Sequence, residues 1–513
     1  MTSPEGSEVH PFECGKLDTG WKIYQVMISK NYSFLMFFEF MKKFFQNNEE
    51  LPSVSALPKQ TLPTDKLLPP VIREIVSNAP SSRKLPAFIA SLAPLCALCP
   101  RIRLQYPYDT RPSALLLQVL IEGEQSSGKS FAADIEDLIM GKTLKARDKQ
   151  MRRMEQEYRE KKKRRKANEK LEEEPQTTVC VVPPTISKTV LTKRADMFER
   201  VLGDTLTFWM FAEELAQVTD AGKQGYSNLR TIMRNAYDLG SLFGIDFASD
   251  NSYSAIVDIN ICSMFCATPA AVDEYYDRKS IEGGNVTRCV VCQLPEMLGE
   301  EGAIFKPYTD KQRALVDAIL SQLMNETFAD NGLLKPVIEL DMKWLSPTIC
   351  KWVKDKADEA KLSGNKAIDV FRKRSSVSAF RVASLCYHLY QHDDHRPRLE
   401  TIQKRVRQIY LFMAEYILQG MLKRWGNRYI ELSTKRELDN KTTDKPILFN
   451  ALTDVFTRDQ LKLQIEKQGL TTPARIFLYQ WKMMKVIESV DNNTFRKIQP
   501  KATLESGKEA CHD

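Results

Sequence analysis

The run Leu115–Ile121 is apolar at every position but Gln118 and leads directly into Glu122-Gly123. A continuous apolar run of this length, closed by a glycine, fits a strand covered on both faces at the centre of a parallel sheet. The next residues, Gly123-Glu124-Gln125-Ser126-Ser127-Gly128-Lys129-Ser130, open onto a helical pattern over Phe131–Met140. Strand, glycine-bounded loop and helix in that order require an α/β architecture with crossover helices. Later apolar runs repeat the alternation, at Thr178–Val182, Thr207–Phe211, Ala255–Phe265 and Arg288–Leu294. Past about residue 310 the strand signal fades and the pattern becomes helical, as in Phe380–Tyr390 and Ile409–Trp425.

The loop matches G-x-x-x-x-G-K-[ST] in full, and its chemistry is that of phosphate binding. Gly123 and Gly128 let the backbone wrap an anion, so that N–H groups from Glu124, Gln125, Ser126 and Ser127 point inward at a helix N-terminus. Lys129 supplies a point charge for the terminal phosphates, and Ser130 a hydroxyl for Mg²⁺. The expected ligand pair is ATP with Mg²⁺.

Hydrolysis needs acids opposite this loop. Phe208–Ala212 is an apolar strand ending in Glu213-Glu214. Side chains alternate along a strand, so adjacent carboxylates take different tasks. Glu213 is assigned to the Mg²⁺ shell and Glu214 to the attacking water. Thr268, after the run Val257–Cys266, is the candidate sensor of the terminal phosphate; it also suits an N-cap before Pro269. Arg288, after Gly283-Gly284, is the candidate arginine finger for a neighbouring subunit, with a structural ion pair as the alternative. Arg372, Arg374 and Arg381 are candidates for a second sensor acting within the chain.

The chain has 513 residues and a net charge of +8, enough length for about three domains and large cores. Segments are expected at 1–64 (N-terminal segment and linker), 65–310 (catalytic core), 311–435 (helical domain) and 446–500 (winged helix). Residues 142–174 hold 14 basic and 8 acidic residues, six of the chain's eight net positive charges. Without an apolar stripe, the block reads as a solvated helical arm, or as an arm whose Lys161–Lys166 run meets nucleic-acid phosphates. Thr457 and Gln460 form a capping-box pattern, and residues 486–498 a hairpin, which together suit a helix–turn–helix with a wing. Arg475, Lys482, Lys485, Arg496 and Lys497 are its candidate DNA contacts, with a protein-interaction or purely packing module as the alternative. The Phe-rich segment Asn31–Phe45 is too short and too charged to span a bilayer and reads as a docked helix, with a peripheral membrane contact as the alternative.

Eleven scattered cysteines read as free, buried thiols in a reducing compartment, and the expected location is cytoplasmic. Cys96-x-x-Cys99 and Cys289-x-x-Cys292 are too far apart in sequence for a standard zinc knuckle. His388, His392 and His395, near Asp393 and Asp394, read as an exposed polar loop, with a metal site as the alternative. No acidic constellation of a primase is evident.

Taken in order, these motifs make the chain similar to a P-loop family of bacterial mobile elements and phages. That family is labelled a domain of unknown function and likened to the helicase half of primase–helicases. The resemblance spans roughly residues 65–420, through the Gly123–Ser130 loop, the charged insertion, Pro184-Thr185, Glu213-Glu214-Leu215, Ala267-Thr268-Pro269 and Thr287-Arg288. Together with the residue patterns, it gives the expected fold: an α/β P-loop NTPase core (RecA/AAA+-like) with an additional strand beside the catalytic Glu, a long charged helical insertion, a helical lid and, from the pattern past residue 446, a C-terminal winged helix. It also implies a ring, expected to be a hexamer, that hydrolyses ATP to act on DNA as a helicase-type motor in replication or transfer of a mobile element. A separate primase or relaxase is then an expected partner, and no membrane is. The alternatives are an ATPase switch or loader for a replication partner, and a nucleotide-controlled DNA-binding regulator that does not unwind.

Overall fold

The computed structural model describes residues 65–165, 173–223, 229–246, 253–296, 302–440, 445–468, 473–483 and 486–498. The expected helix at Asn31–Phe45, and Lys166 and Lys485 among the expected contacts, lie outside these residues.

Helices α1 (Pro70–Ser77) and α2 (Lys84–Ala97) lead through β1 (Ile102–Arg103) to β2 (Gln118–Glu122). After the loop come α3 (Phe131–Met140), α4 (Leu144–Arg164), β3 (Val181–Val182), α5 (Lys188–Leu202), β4 (Thr207–Ala212), α6 (Leu215–Lys223) and α7 (Leu229–Asn235). Strands β5 (Leu242–Ile245) and β6 (Ala255–Asp258) precede β7 (Asn260–Ala267), α8 (Pro269–Tyr275), α9 (Arg278–Glu282) and β8 (Cys289–Gln293). Strands β3, β4, β7, β2 and β8 form one parallel sheet in that spatial order. One strand, β7, therefore lies between the strand entering the loop and the strand ending at Glu213. All five carboxyl ends share one edge, where open α/β sheets place their ligands.

The apolar run Ala255–Phe265, read above as a single strand, is two. Its first part, β6, pairs antiparallel with β5, whereas β7 enters the central sheet. Hydrophobicity alone does not mark where a chain changes partners. Strand β7 is buried along its whole length, as expected of a strand between two others. Helix α2, almost wholly buried, packs against β2, β4 and β7. Strand β1 lies outside the central sheet and pairs in parallel with β9 (Ile338–Glu339).

A helical layer follows: α10 (Asp310–Thr327), α11 (Ser346–Ser363), α12 (Lys366–Leu389), α13 (Leu399–Met421), a π-helical turn at Leu422–Gly426 and α14 (Asn427–Asn440). Helices α12 and α13 pack along each other, and α13 also lies on β8, so this layer shares the core of the sheet. The last segment, α15 (Lys445–Asn450), β10 (Val455–Thr457), α16 (Arg458–Lys467), α17 (Ala474–Met483), β11 (Ile487–Ser489) and β12 (Thr494–Lys497), has its own core. Trp481 sits within that core, with Phe449, Phe456 and Phe477 against its ring. Its three strands pair antiparallel in the order β10-β12-β11. No helix among the described residues is long and apolar enough to cross a membrane.

The charged block differs from a free solvated arm. Helix α4 does run 21 residues, and its distal Lys162–Arg165 is exposed. Its first turns, however, are docked on the edge of the sheet. Asp148 accepts from the backbone N–H groups of Cys180 (2.8 Å) and Val181 (2.5 Å), while Arg147 donates to Thr178 O at 2.8 Å. Glu155 pairs with both terminal nitrogens of Arg194 on α5, each at 3.1 Å. Strand β3 is the sheet's edge, and these side chains occupy backbone groups that an edge would otherwise leave unpaired.

Candidate functional site

The loop between β2 and α3 carries two left-handed residues, Ser126 (φ 58°) and Gly128 (φ 71°). Ser126 is the one such non-glycine residue among the described residues. Left-handed positions within a tight loop turn successive N–H groups into one concavity, the shape of an anion nest. Gly123 serves differently. A Cβ there would meet Ser127 Oγ at 2.5 Å and Leu294 Cδ1 at 2.9 Å, so close approach, not backbone freedom, favours the glycine, and both side chains would have to shift to admit a methyl group.

Lys129 folds its ammonium onto the loop, donating to Gly123 O at 2.9 Å and Glu124 O at 2.7 Å. Burial lowers its pKa, and the charges of Glu124 and Glu214 act in the opposite direction. Ser130 stands before the first residue of α3, and its hydroxyl makes no capping bond, so it is available to a ligand.

Glu213 and Glu214 follow β4 at the same edge, and both are exposed. Cys266, at the end of β7, lies between the two groups electrostatically. Burial raises its thiol to about 12, Lys129 lowers it and Glu213 raises it further. Gly123 N–H donates to Ala267 O at 3.0 Å, which fixes the end of β7 against the loop. Thr268 is next in sequence and accepts from Ala271 N–H at 3.4 Å, so it caps α8. The sheet edge thus brings together Lys129, Ser130, Glu213, Glu214 and Thr268.

Arg288 is elsewhere. It precedes β8 and so stands at the amino edge of the sheet, opposite the loop. It donates to Gly284 O at 3.0 Å and lies 4.0 Å from Asp238. Arg374 (3.2 Å) and Arg381 (3.3 Å) share that same carboxylate, and all three guanidinium groups lie over the Tyr237 ring. Burial, then the Arg374 charge, lowers Arg288 to about 10. Arg381 also donates to Leu116 O at 2.8 Å. Leu116 precedes β2 and Gly123 follows it, so the five residues of that strand, about 16 Å, lie between them. Arg374 and Arg381 therefore cannot act as sensors at their own chain's loop, and Arg372 is held by Asp369 at 2.7 Å. The expected sensor role within the chain is corrected: Arg374 and Arg381 brace the opposite edge, and Arg372 is held within the helical layer by Asp369 and Val353 O.

Three residues that the sequence reading missed support the loop edge. Arg83, buried beneath the loop, donates to Ser127 O at 2.7 Å, while its Nε and Nη1 have no partner. Glu136 of α3, also buried, accepts from Trp209 Nε1 of β4 at 2.8 Å and pairs with Lys145 of α4 at 2.5 Å. It joins the loop's helix, the acid-bearing strand and the charged insertion. Arg424, in the π-helical turn, lies 2.7 Å from Glu122, the last residue of β2, and 3.1 Å from Asp273. It also donates to Pro269 O at 3.1 Å. One side chain of the helical layer thus grips the strand ends on which Gly123 and Thr268 sit. Short π-helical turns within longer helices occur often at functional positions. No periodicity marks any of these three, because each is defined by a partner distant in sequence.

In the last segment, the capping box of Thr457 and Gln460 forms, and Arg475, Lys482 and Arg496 are exposed. Arg496 lies 3.4 Å from Glu488, and Lys497 donates to Leu452 O at 2.6 Å. No family model matches the chain, and no curated protein matches it.

Proposed function

We propose that the chain is a P-loop NTPase that hydrolyses ATP and works on DNA as a ring. The observation that carries this reading is the loop edge itself. A nest-shaped loop with Lys129 and an unengaged Ser130 hydroxyl faces Glu213 and Glu214 across one intervening strand. The residues present fit ATP and Mg²⁺: N–H groups for phosphate oxygens, a hydroxyl and a carboxylate for the metal, and an ammonium for the terminal phosphates. Bound Mg²⁺ would be held by Ser130 and Glu213 and would neutralise charge on the phosphates.

Lys129 exchanges its loop carbonyls for phosphate oxygens. Glu214 orients the attacking water and takes its proton, and Thr268 bonds the water or the terminal phosphate from its capping position. Arg288, remote from its own loop, completes a neighbouring subunit's site. The helical layer acts as a lid through Arg424, and the last segment is a winged helix that meets duplex DNA. The helicase-type motor and the mobile-element setting rest on sequence resemblance.

Steady-state ATPase activity, with and without single-stranded DNA, tests this. Lys129→Ala is expected to abolish nucleotide binding. Glu214→Gln is expected to retain binding and lower turnover by about 10²–10⁴-fold, the usual contribution of a general base. Stimulation by DNA that both variants lose supports the motor. Bound nucleotide with slow turnover that DNA does not stimulate favours a switch or loader. That second reading draws on the engagement of Arg288 with Asp238 and Gly284 inside its own chain.

A further inference from the structure

The three histidines near residue 390 do not form one exposed loop. His388 is buried on α12, and His392 lies one turn later. His395 is on the exposed stretch beyond. Glu326, from the last turn of α10, meets the first two. His388 Nε2 is 2.8 Å from Glu326 Oε2, His392 Nε2 is 3.3 Å from Oε1, and the two Nε2 atoms are 3.4 Å apart. These are the one group of three metal-capable side chains with mutually close donor atoms among the described residues. We propose that Glu326, His388 and His392 form a zinc site that clips α10 to the end of α12.

The His388–Glu326 spacing of 2.8 Å is that of a hydrogen bond, while the other two, 3.3 and 3.4 Å, are near the about 3.3 Å between two donors bound tetrahedrally to Zn²⁺, so binding would open the first contact by about 0.5 Å.

A second observation concerns the orientation of a ring. His392 Nδ1 is 2.9 Å from Gln322 Oε1. Gln322 thus engages one ring nitrogen of His392 and leaves the other, Nε2, as the one that faces Glu326 and His388. This is how outer partners orient metal-binding imidazoles. The Cys99 thiol is not among the donor atoms that lie close together, which leaves two histidines and a glutamate. Two histidines and a glutamate with water in the fourth position is an established zinc donor set.

The site is separate from the loop. Thr327, beside Glu326, contacts Leu98 O at one end of α2, and Arg83 contacts Ser127 at the other. The 15 residues between them span about 22 Å as helix.

The full chain, freed of metal with a chelator and titrated with ZnCl₂, tests the proposal by calorimetry and thermal unfolding. The expected result is one Zn²⁺ site whose occupancy raises the melting temperature. His392→Ala removes a ligand at a partly exposed position and is expected to weaken binding beyond the roughly 100-fold bound of an outer-shell change. Gln322→Ala, an exposed change, is expected to weaken it about 10–100-fold. Cobalt substitution should give a tetrahedral spectrum without thiolate charge transfer. Absence of micromolar binding overturns the site, as does binding of equal affinity in wild type, His392→Ala and Glu326→Gln.

Discussion

At the residue scale, the two loop glycines are needed for different reasons, and their substitutions separate the two. Gly128 has a positive φ and open space around a notional Cβ, so Gly128→Ala should cost about 1–2 kcal/mol of backbone strain. Gly123→Ala instead places a methyl group against Ser127 and Leu294, with a cost of about 1–3 kcal/mol from overpacking. Adding Ser127→Ala should recover part of the Gly123→Ala loss and none of the Gly128→Ala loss. Denaturation midpoints of the two single and two double variants check this. Both glycines were legible in the spacing of the motif; the reason for each was not, because Leu294 is brought to Gly123 only by the pairing of β8 with β2.

At the element scale, two contacts connect layers that the sequence left independent. Arg424 lies beside a Glu122 carboxylate that is 4% exposed. Arg424→Met strands that charge and should destabilise the chain by roughly 3–5 kcal/mol. Replacing Glu122 by Gln in the same chain should restore most of the loss, as read by chemical denaturation. Glu155 is one anchor of the docked half of α4, beside Asp148 and Arg147. Burial pushes its carboxyl up, but hydrogen bonds from Arg194 and Thr177 outweigh this and hold it below the usual 4.5. A depressed acid stabilises the fold above its unfolded value and loses that contribution as pH falls through its folded value. Docking of α4 should therefore loosen below about pH 4.5, and Glu155→Gln should loosen it at pH 7. Faster hydrogen exchange over residues 148–158 is the expected readout. The length of α4 was evident from its composition. Its docking was not, since Asp148, Glu155 and Arg147 look like any other charges on a solvated face.

At the scale of the whole molecule, the parallel sheet separates Lys129 from Arg288 by placing them at opposite edges. If Arg288 completes a neighbour's site, its function is distributed over two chains. Arg288→Ala and Lys129→Ala, each inactive alone, should then regain ATPase activity when mixed, because some interfaces pair an intact loop with an intact arginine. Activity that stays absent on mixing assigns Arg288 to the Asp238 cluster alone. Release of Arg288 from Asp238 leaves Arg374 and Arg381 on that carboxylate, so the cluster can give up one member without stranding the acid.

Local pattern alone determined the strand–loop–helix over residues 115–140, the acids ending β4, the cap at Thr268, the helical second half and the capping box at Thr457. Each depends on neighbours within a few residues, where periodicity, turn chemistry and capping act. Tertiary structure decided the rest. It divided Ala255–Phe265 between two sheets and moved Arg374 and Arg381 to the far edge. It also set Arg83, Glu136 and Arg424 around the loop, and Glu326 against His388 and His392. The reason is that ion pairs and ligand sets form between residues tens to hundreds of positions apart. Their partners are chosen by strand order and helix packing, which the spacing of residues along the chain does not encode.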